Sequence, residues 1–131
     1  MNLIIGSHVS YNNKSQLLGS VKEALSYKAN TFMFYTGAPQ NTNRSVIEDS
    51  LTMEAYKLMK ENNIALEKVI VHAPYIVNLA NFNNFDFSVS FLINEVERCS
   101  TLGIKYLVLH PGSAVNCSRE EAINNISKGL K

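Results

Sequence analysis

Four short apolar runs alternate with four segments of helical periodicity, and this order constrains the fold more than any other feature of the sequence. The strand-like runs cover residues 3–5, 31–35, 69–71 and 106–109. After each run, apolar residues recur about every 3.6 residues, which is the period of an α-helix. Repeated strand–helix units build a parallel sheet with right-handed crossovers and strands buried on both faces. The sequence therefore predicts an α/β fold of four consecutive βα units.

Capping residues mark where the predicted helices begin and end. The candidate N-caps of the first two helices are Asn12, Asn13, Ser15, Ser50 and Thr52. Gly103 follows the third helix, where a left-handed backbone commonly ends a helix. Ser118 and Glu121 stand three residues apart before the fourth helix, the spacing of a capping box. Because no linker or low-complexity segment interrupts the pattern, residues 1–131 are predicted to belong to a single domain.

The composition excludes several classes of protein. A formal net charge of +1 leaves no polybasic arm for nucleic acid, although a local basic or polar groove stays open. Cys99 and Cys117 have no CxxC neighbour, which indicates free thiols in a reducing cytosol. The N-terminus lacks the features of a signal peptide, and no apolar run approaches the roughly 18 residues of a membrane span. We expect a cytoplasmic protein that does not bind membranes.

Two of the three histidines follow neighbouring strand-like runs, His72 in VIVHAP and His110 in LVLHPG. A lone histidine at such a position is more often structural than a ligand. The repetition favours a shared metal, because neighbouring strand ends lie about 5 Å apart and zinc binds imidazole nitrogen at about 2 Å. His8 ends the first run and is either a third histidine of the site or structural. With Tyr35 after the second run, four positions are predicted to converge at the carboxyl ends of the strands.

The polar loops after the second and third strands contain candidate contacts to a nucleic acid. The candidates are Gln40, Asn41, Asn43 and Arg44 in the first of these loops and Tyr75 and Asn78 in the second. A tyrosine can stack on a base, and polar side chains can bond phosphates. For each residue taken singly, a solvated loop position is the simpler interpretation.

Four segments in register resemble a known family. They are GSHVS at 6–10, FYTGAPQN at 34–41, VHAPYIVNLA at 71–80 and GIKYLVLHPGS at 103–113. Together they resemble the N-terminal half of the endonuclease IV (deoxyribonuclease IV) family, zinc-dependent apurinic/apyrimidinic endonucleases of base-excision repair. The resemblance covers essentially the whole chain. It implies a TIM (β/α)8 barrel, of which this chain provides about the first four βα units, a half-barrel.

The resemblance also implies a reaction and a site. Members of the family cleave double-stranded DNA on the 5′ side of an abasic site and leave a 3′-hydroxyl, using three zinc ions at the C-terminal end of the barrel. By this resemblance His72 and His110 are ligands of one zinc, and His8 matches a histidine to which we assign no ligand role. Tyr75 matches a tyrosine that enters the duplex beside the flipped abasic nucleotide. The implied DNA-binding residues are Tyr75, Asn78, Gln40 and Asn41.

The length departs from that family, since a (β/α)8 barrel takes about 250 residues and this chain has 131. The other zinc ligands of the family, carboxylates and further histidines, would come from strands five to eight. We therefore expect a partial zinc site, weak zinc binding and no cleavage by this chain alone. Open strand edges and an uncovered apolar face also predict self-association. Ala114 replaces a histidine that many relatives carry, which alters a local contact only.

Two alternatives stay open at this point. A metal-dependent sugar isomerase or epimerase would have the same barrel with metal ligands at strand ends, but it needs no duplex-reading loop, so the HAPYIVNLA segment argues against it. A non-catalytic half that assembles with a partner would show no turnover.

Overall fold

The computed structural model describes residues 3–131, which form four parallel strands, each followed by a helix. The elements are β1 (Gly6–His8), α1 (Gln16–Ser26), β2 (Thr31–Phe34), α2 (Asp49–Glu61), β3 (Ile70–His72), α3 (Phe85–Leu102), β4 (Tyr106–Val108) and α4 (Arg119–Gly129). Two short 3₁₀ helices, Leu66–Lys68 and Phe82–Asn84, precede β3 and α3. The sheet order is β1-β2-β3-β4 with every neighbouring pair parallel. The predicted α/β order is confirmed.

The register places the strand ends side by side. Gly6 pairs with Thr31, and a Cβ at Gly6 would lie 2.1 Å from the Thr31 carbonyl oxygen, so the close approach requires glycine. His72 pairs with Val108, one residue pair beyond the predicted end of the third strand. Consequently His8 and His72 are the last residues of β1 and β3 and do not lie in the loops that follow.

The first strand ends at residues 6–8 as predicted, but the apolar run at residues 3–5 that predicted it lies outside the ladder. The Ile5 N–H donates to Asn30 Oδ1 at 2.7 Å, and Asn30 Nδ2 donates to the Leu3 carbonyl at 2.9 Å. An asparagine side chain therefore bonds this part of the backbone, and the ladder with β2 begins only at Gly6. Leu3 and Ile5 are 66% and 60% exposed, so their apolar character does not indicate burial.

The predicted helix ends are partly confirmed. Gly103 ends α3 with a φ of 73°, and the Ser118–Glu121 capping box is present. The predicted caps of the second helix are wrong: α2 begins at Asp49 after Glu48, and the Thr52 hydroxyl donates to the Glu48 carbonyl from inside the helix.

Ser15 precedes α1 as predicted, but its side chain makes no capping bond. Instead Asn12 Oδ1 accepts from the N–H groups of Lys14 and Ser15. The turn before α1 is therefore closed by an asparagine side chain, and the first orphan N–H groups of the helix are not satisfied by Ser15.

The core lies between the sheet and the helices on one face. Phe32 and Phe34 of β2 are 2% and 0% exposed, whereas the alternate residues of the strand are half-buried. On β4, Leu107 packs against the core while Tyr106 and Val108 are 58% and 40% exposed. The expectation of strands buried on both faces is therefore wrong for this chain, because helices cover one face only.

A second apolar cluster lies under the long loop after β3. Val77, Leu79 and Phe91 are buried in it, and side chains from the β4 end and α4 pack against it. Asn125 of α4 also donates to the Ala80 carbonyl at 3.3 Å. These contacts hold the loop that follows His72 against α3 and α4. Within residues 3–131 there is no helix with the length and apolar character needed to cross a bilayer.

Candidate functional site

Four aromatic side chains from consecutive strand ends form one line, which we call the rim row: His8, Tyr35, His72 and His110. The ring centroids of successive members are 4.7, 5.1 and 5.0 Å apart. These spacings match the separation of neighbouring strands, about 4.8 Å. The structure therefore brings together the four positions that the strand-end pattern predicted, while their roles in a metal site stay predictions.

The ring of His72 is held by the backbone of the next residue. Nδ1 lies 2.6 Å from the carbonyl oxygen of Ala73. A carbonyl can only accept, so Nδ1 carries the hydrogen and Nε2 of the neutral ring keeps its lone pair. The Ala73 N–H in turn donates to the Val108 carbonyl of β4 at 2.8 Å. Such a fixed tautomer and ring orientation is what metal-binding histidines use.

The ring of His110 lies next to that of His72, with their planes 24° apart. It is exposed and belongs to the loop after β4, which is tied to the loop after β3. The Leu79 N–H donates to the Pro111 carbonyl at 3.1 Å. The two loops also line an open cavity of about 320 Å³ between Tyr75 and His110.

Asn78 joins these two loops through its side chain. Oδ1 accepts from the N–H groups of Ala80 at 3.0 Å and Ser113 at 3.2 Å, and Nδ2 donates to the Ser113 carbonyl at 3.1 Å. Gly112 has a φ of 128° and lies against Oδ1, where a Cβ would come within 2.1 Å. Sequence reasoning missed this bridging role. The predicted phosphate contact of Asn78 would have to use the remaining amide hydrogen.

The other predicted DNA-binding residues are open to solvent. Tyr75 is 60% exposed and follows the buried Pro74. Gln40 and Asn41 are exposed in the loop after β2, where Asn41 Oδ1 accepts from the Asn43 N–H at 3.0 Å. Residues 37–39 of this loop line a polar groove of about 460 Å³ together with His8 and Tyr35 of the rim row. The loop therefore borders the rim row, but its contact with DNA stays a prediction.

Arg44 contradicts both interpretations given to it from sequence. Its side chain is 5% exposed, and Nε donates to Oε1 of the fully buried Glu95 at 2.6 Å. It is therefore neither a solvated loop residue nor a phosphate contact. Glu95 and Arg98 of α3, which sequence reasoning missed, share a helical face with the buried Phe91 and Leu102. Charged residues on the apolar face of a helix are the sequence signal that could have revealed the buried Arg44–Glu95 ion pair.

Among residues 3–131, no group of three or more His, Cys, Asp or Glu side chains lies close enough to hold a metal ion. The described part of the chain therefore provides two adjacent imidazoles and no third protein ligand at the same place.

Comparison with known proteins places the chain in a family. Residues 21–131 match the xylose isomerase-like TIM barrel family. The chain belongs to this family. It is also similar to two proteins named "Probable endonuclease 4": it is 55% identical over 130 residues to one from Acholeplasma laidlawii (98% of this chain, 44% of that relative). With one from Bacillus subtilis it is 52% identical over 132 residues (98% and 43%).

A solved structure supports the same relationship. The crystal structure of endonuclease IV from Thermus thermophilus superposes with a TM-score of 0.75 at 26% identity, covering 96% of this chain and 46% of that chain. The resemblance to the endonuclease IV family, including the half-barrel, is confirmed. The chain spans less than half the length of the relatives it matches.

Proposed function

We propose that residues 1–131 form the N-terminal half of an apurinic/apyrimidinic endonuclease of the endonuclease IV type. The complete protein would cleave double-stranded DNA on the 5′ side of an abasic site and leave a 3′-hydroxyl, as in base-excision repair. The observation that carries the proposal is the adjacent pair His72 and His110, at neighbouring strand ends of a chain 55% identical to a relative named "Probable endonuclease 4".

The separation of the two imidazoles supports a shared zinc ion. Zinc binds ring nitrogen at about 2.0 Å, the ring centroid lies about 1.1 Å further out, and a tetrahedral angle then separates two centroids by about 5 Å. The centroids of His72 and His110 are 5.0 Å apart. Zinc would supply Lewis acidity and a nucleophile from water at neutral pH. The remaining ligands of the family's three ions are not provided by residues 3–131, so this half would bind zinc weakly.

The chain's own residues would position the ion and the DNA. The Ala73 carbonyl holds His72 so that Nε2 is the nitrogen available to the ion. Tyr75, exposed beside the His110 cavity, would fill the space left in the duplex by the abasic nucleotide. That nucleotide has no base to unstack, so turning it out of the helix is easier than for a normal one. Gln40 and Asn41 would contact the DNA backbone from the neighbouring loop.

A chimera tests the proposal. Residues 1–131 would be joined to the part of the Acholeplasma laidlawii relative that follows its matched segment. We expect this chimera, with zinc, to nick a duplex 5′ to a single abasic site. The 131-residue chain alone should not nick it, because its site is incomplete.

Variants of the chimera test the site. His72→Ala and His110→Ala should each lower the nicking rate at least a hundredfold, consistent with loss of a metal ligand. Lys22→Ala, on the exposed side of α1, is the matched control and should leave the rate unchanged. Robust nicking by the chain alone, or by either histidine variant, would overturn the ligand assignment. Equal binding to duplexes with and without an abasic site would favour the sugar-enzyme alternative.

A further inference from the structure

We propose that a buried ion network centred on Arg44 and Glu95 holds the loop of residues 37–45 in the shape that presents Gln40 and Asn41. This inference rests on the proposed function, because that loop is the predicted DNA-facing loop. Arg44 is then a positioning residue, which affects DNA binding without touching DNA.

The ion pair is buried and shielded from solvent. Glu95 projects from α3 with no exposed surface, and Arg44 Nε donates to its Oε1 at 2.6 Å. The guanidinium carbon of Arg44 also lies 4.9 Å from the centre of the Phe91 ring. A carboxylate in such a place is strongly disfavoured without a partner, so the pair fixes the side chain that belongs to the loop.

Arg44 donates hydrogen bonds to three carbonyl groups of its own loop. Its Nη1 donates to Asn43 at 2.8 Å, to Ala38 at 3.2 Å and to Asn41 at 3.3 Å. Gly37 lies against the same group, since a Cβ there would come within 2.6 Å of Nη1. One guanidinium therefore fixes the start, the middle and the end of the segment around itself.

A second arginine fixes the two ends of the loop. Arg98 donates from Nε and Nη2 to the hydroxyl and carbonyl of Thr36, at 3.0 and 2.8 Å, and from Nη1 to the Ser45 carbonyl at 2.7 Å. The Thr36 hydroxyl donates to Oε2 of Glu95 at 2.7 Å. Glu95 is therefore bonded to Arg44 directly and linked to Arg98 through the Thr36 hydroxyl, and α3 holds the loop on both sides of Gln40 and Asn41.

The consequence is that the loop is ordered before DNA arrives. Ordering a flexible polar segment on binding opposes association, and a segment already fixed avoids that loss. The segment also reaches the rim row, because residues 37–39 share a groove with His8 and Tyr35. The exposed side chains of Gln40 and Asn41 are thus presented beside the candidate metal site, while the charge of Arg44 is directed inward.

Hydrogen exchange of the 131-residue chain tests the ordering directly. We expect Arg44→Met and Glu95→Gln to speed the exchange of amides in residues 37–45 at least tenfold, with α1 unchanged. Arg119→Met, which removes an exposed arginine from α4, is the matched control and should leave the loop as in the wild type. If Arg44→Met does not fold, Arg44→Met/Glu95→Gln, which removes both charges of the pair, carries the same test. Unchanged exchange in the loop would overturn the proposal.

Fluorescence anisotropy, which measures binding to a duplex with one abasic site, tests the positioning role of Arg44. Gln40→Ala/Asn41→Ala and Arg44→Met should each weaken binding at least fivefold, relative to Arg119→Met. If Arg44 acts through the loop, adding Gln40→Ala/Asn41→Ala to Arg44→Met should weaken binding no further. If the combined variant instead weakens binding by the product of the two separate effects, the positioning role of Arg44 is overturned. No effect of Gln40→Ala/Asn41→Ala would instead refute the DNA contact itself and the functional part of this inference, while hydrogen exchange still decides the ordering.

Discussion

Gly112→Ala should damage the connection between the two histidine loops, and its cost can be worked out from the structure. Gly112 has a φ of 128°, a conformation that costs an L-residue about 1–3 kcal/mol. The new Cβ would come within 2.1 Å of Asn78 Oδ1, so the amide must move away from its three partners in Ala80 and Ser113. Each of these bonds contributes about 0.5–1.5 kcal/mol, less where water can replace it. We expect a total loss of about 3 kcal/mol.

Urea unfolding, monitored by far-UV circular dichroism, measures this loss of unfolding free energy. Gly129→Ala is the matched control, because Gly129 ends α4 without the positive φ of Gly112, and its added methyl would meet only side-chain atoms, of Leu79 and Phe85, at 3.1 and 3.2 Å. That change should stay within about 1 kcal/mol of the wild type, since alanine favours a helix over glycine. A Gly112→Ala protein within about 0.5 kcal/mol of the wild type, which is typical of a neutral surface change, would refute the reasoning.

Three further predictions concern other parts of the chain. Burial raises the pKa of Cys99 to about 11, so at about pH 8 a thiol reagent should modify Cys117 in the folded protein and Cys99 only after unfolding; immediate reaction of both would contradict this. Hydrogen bonds from the backbone and then the side chain of Ser118 lower the pKa of Glu121, so the capping box stabilises the fold above the ordinary pKa of 4.5 and loses this effect as the pH falls. The difference in unfolding free energy between the wild type and Glu121→Gln should therefore shrink between about pH 7 and about pH 3, and a constant difference would be inconsistent with the cap. Leu79→Ala empties a fully buried position of the second cluster and should lower the unfolding free energy by about 2–5 kcal/mol in the same urea assay, whereas a loss below about 1 kcal/mol would show that the loop is not packed.

The strand–helix order was predictable because it depends on local periodicity. The rim row followed from it, since parallel strands place their ends side by side and the sequence puts an aromatic or histidine residue at each end. The capping box at Ser118 and the helix end at Gly103 were predictable for the same reason: each depends on residues within a few positions of one another.

The features that were missed depend on residues far apart in sequence. The apolar run at residues 3–5 stays outside the ladder because Asn30, about 25 positions later, bonds its backbone. Arg44 turns inward because it pairs with Glu95 of α3, which is 51 positions away in the sequence. Asn78 bridges to Ser113 across 35 positions. No periodicity reports such pairings, and each becomes visible only when the helices are placed on the sheet.

Zinc binding by the 131-residue chain tests most directly whether His72 and His110 share one ion. Four-ligand zinc sites bind with about 10–16 kcal/mol, so two ligands should supply roughly half of this, a dissociation constant of about 1 µM to about 0.2 mM. Competition with a chromophoric chelator should show one such site, weakened by His72→Ala and by His110→Ala and unaffected by Lys22→Ala. Nanomolar binding, or zinc retained at full affinity by the double histidine variant, would contradict the account.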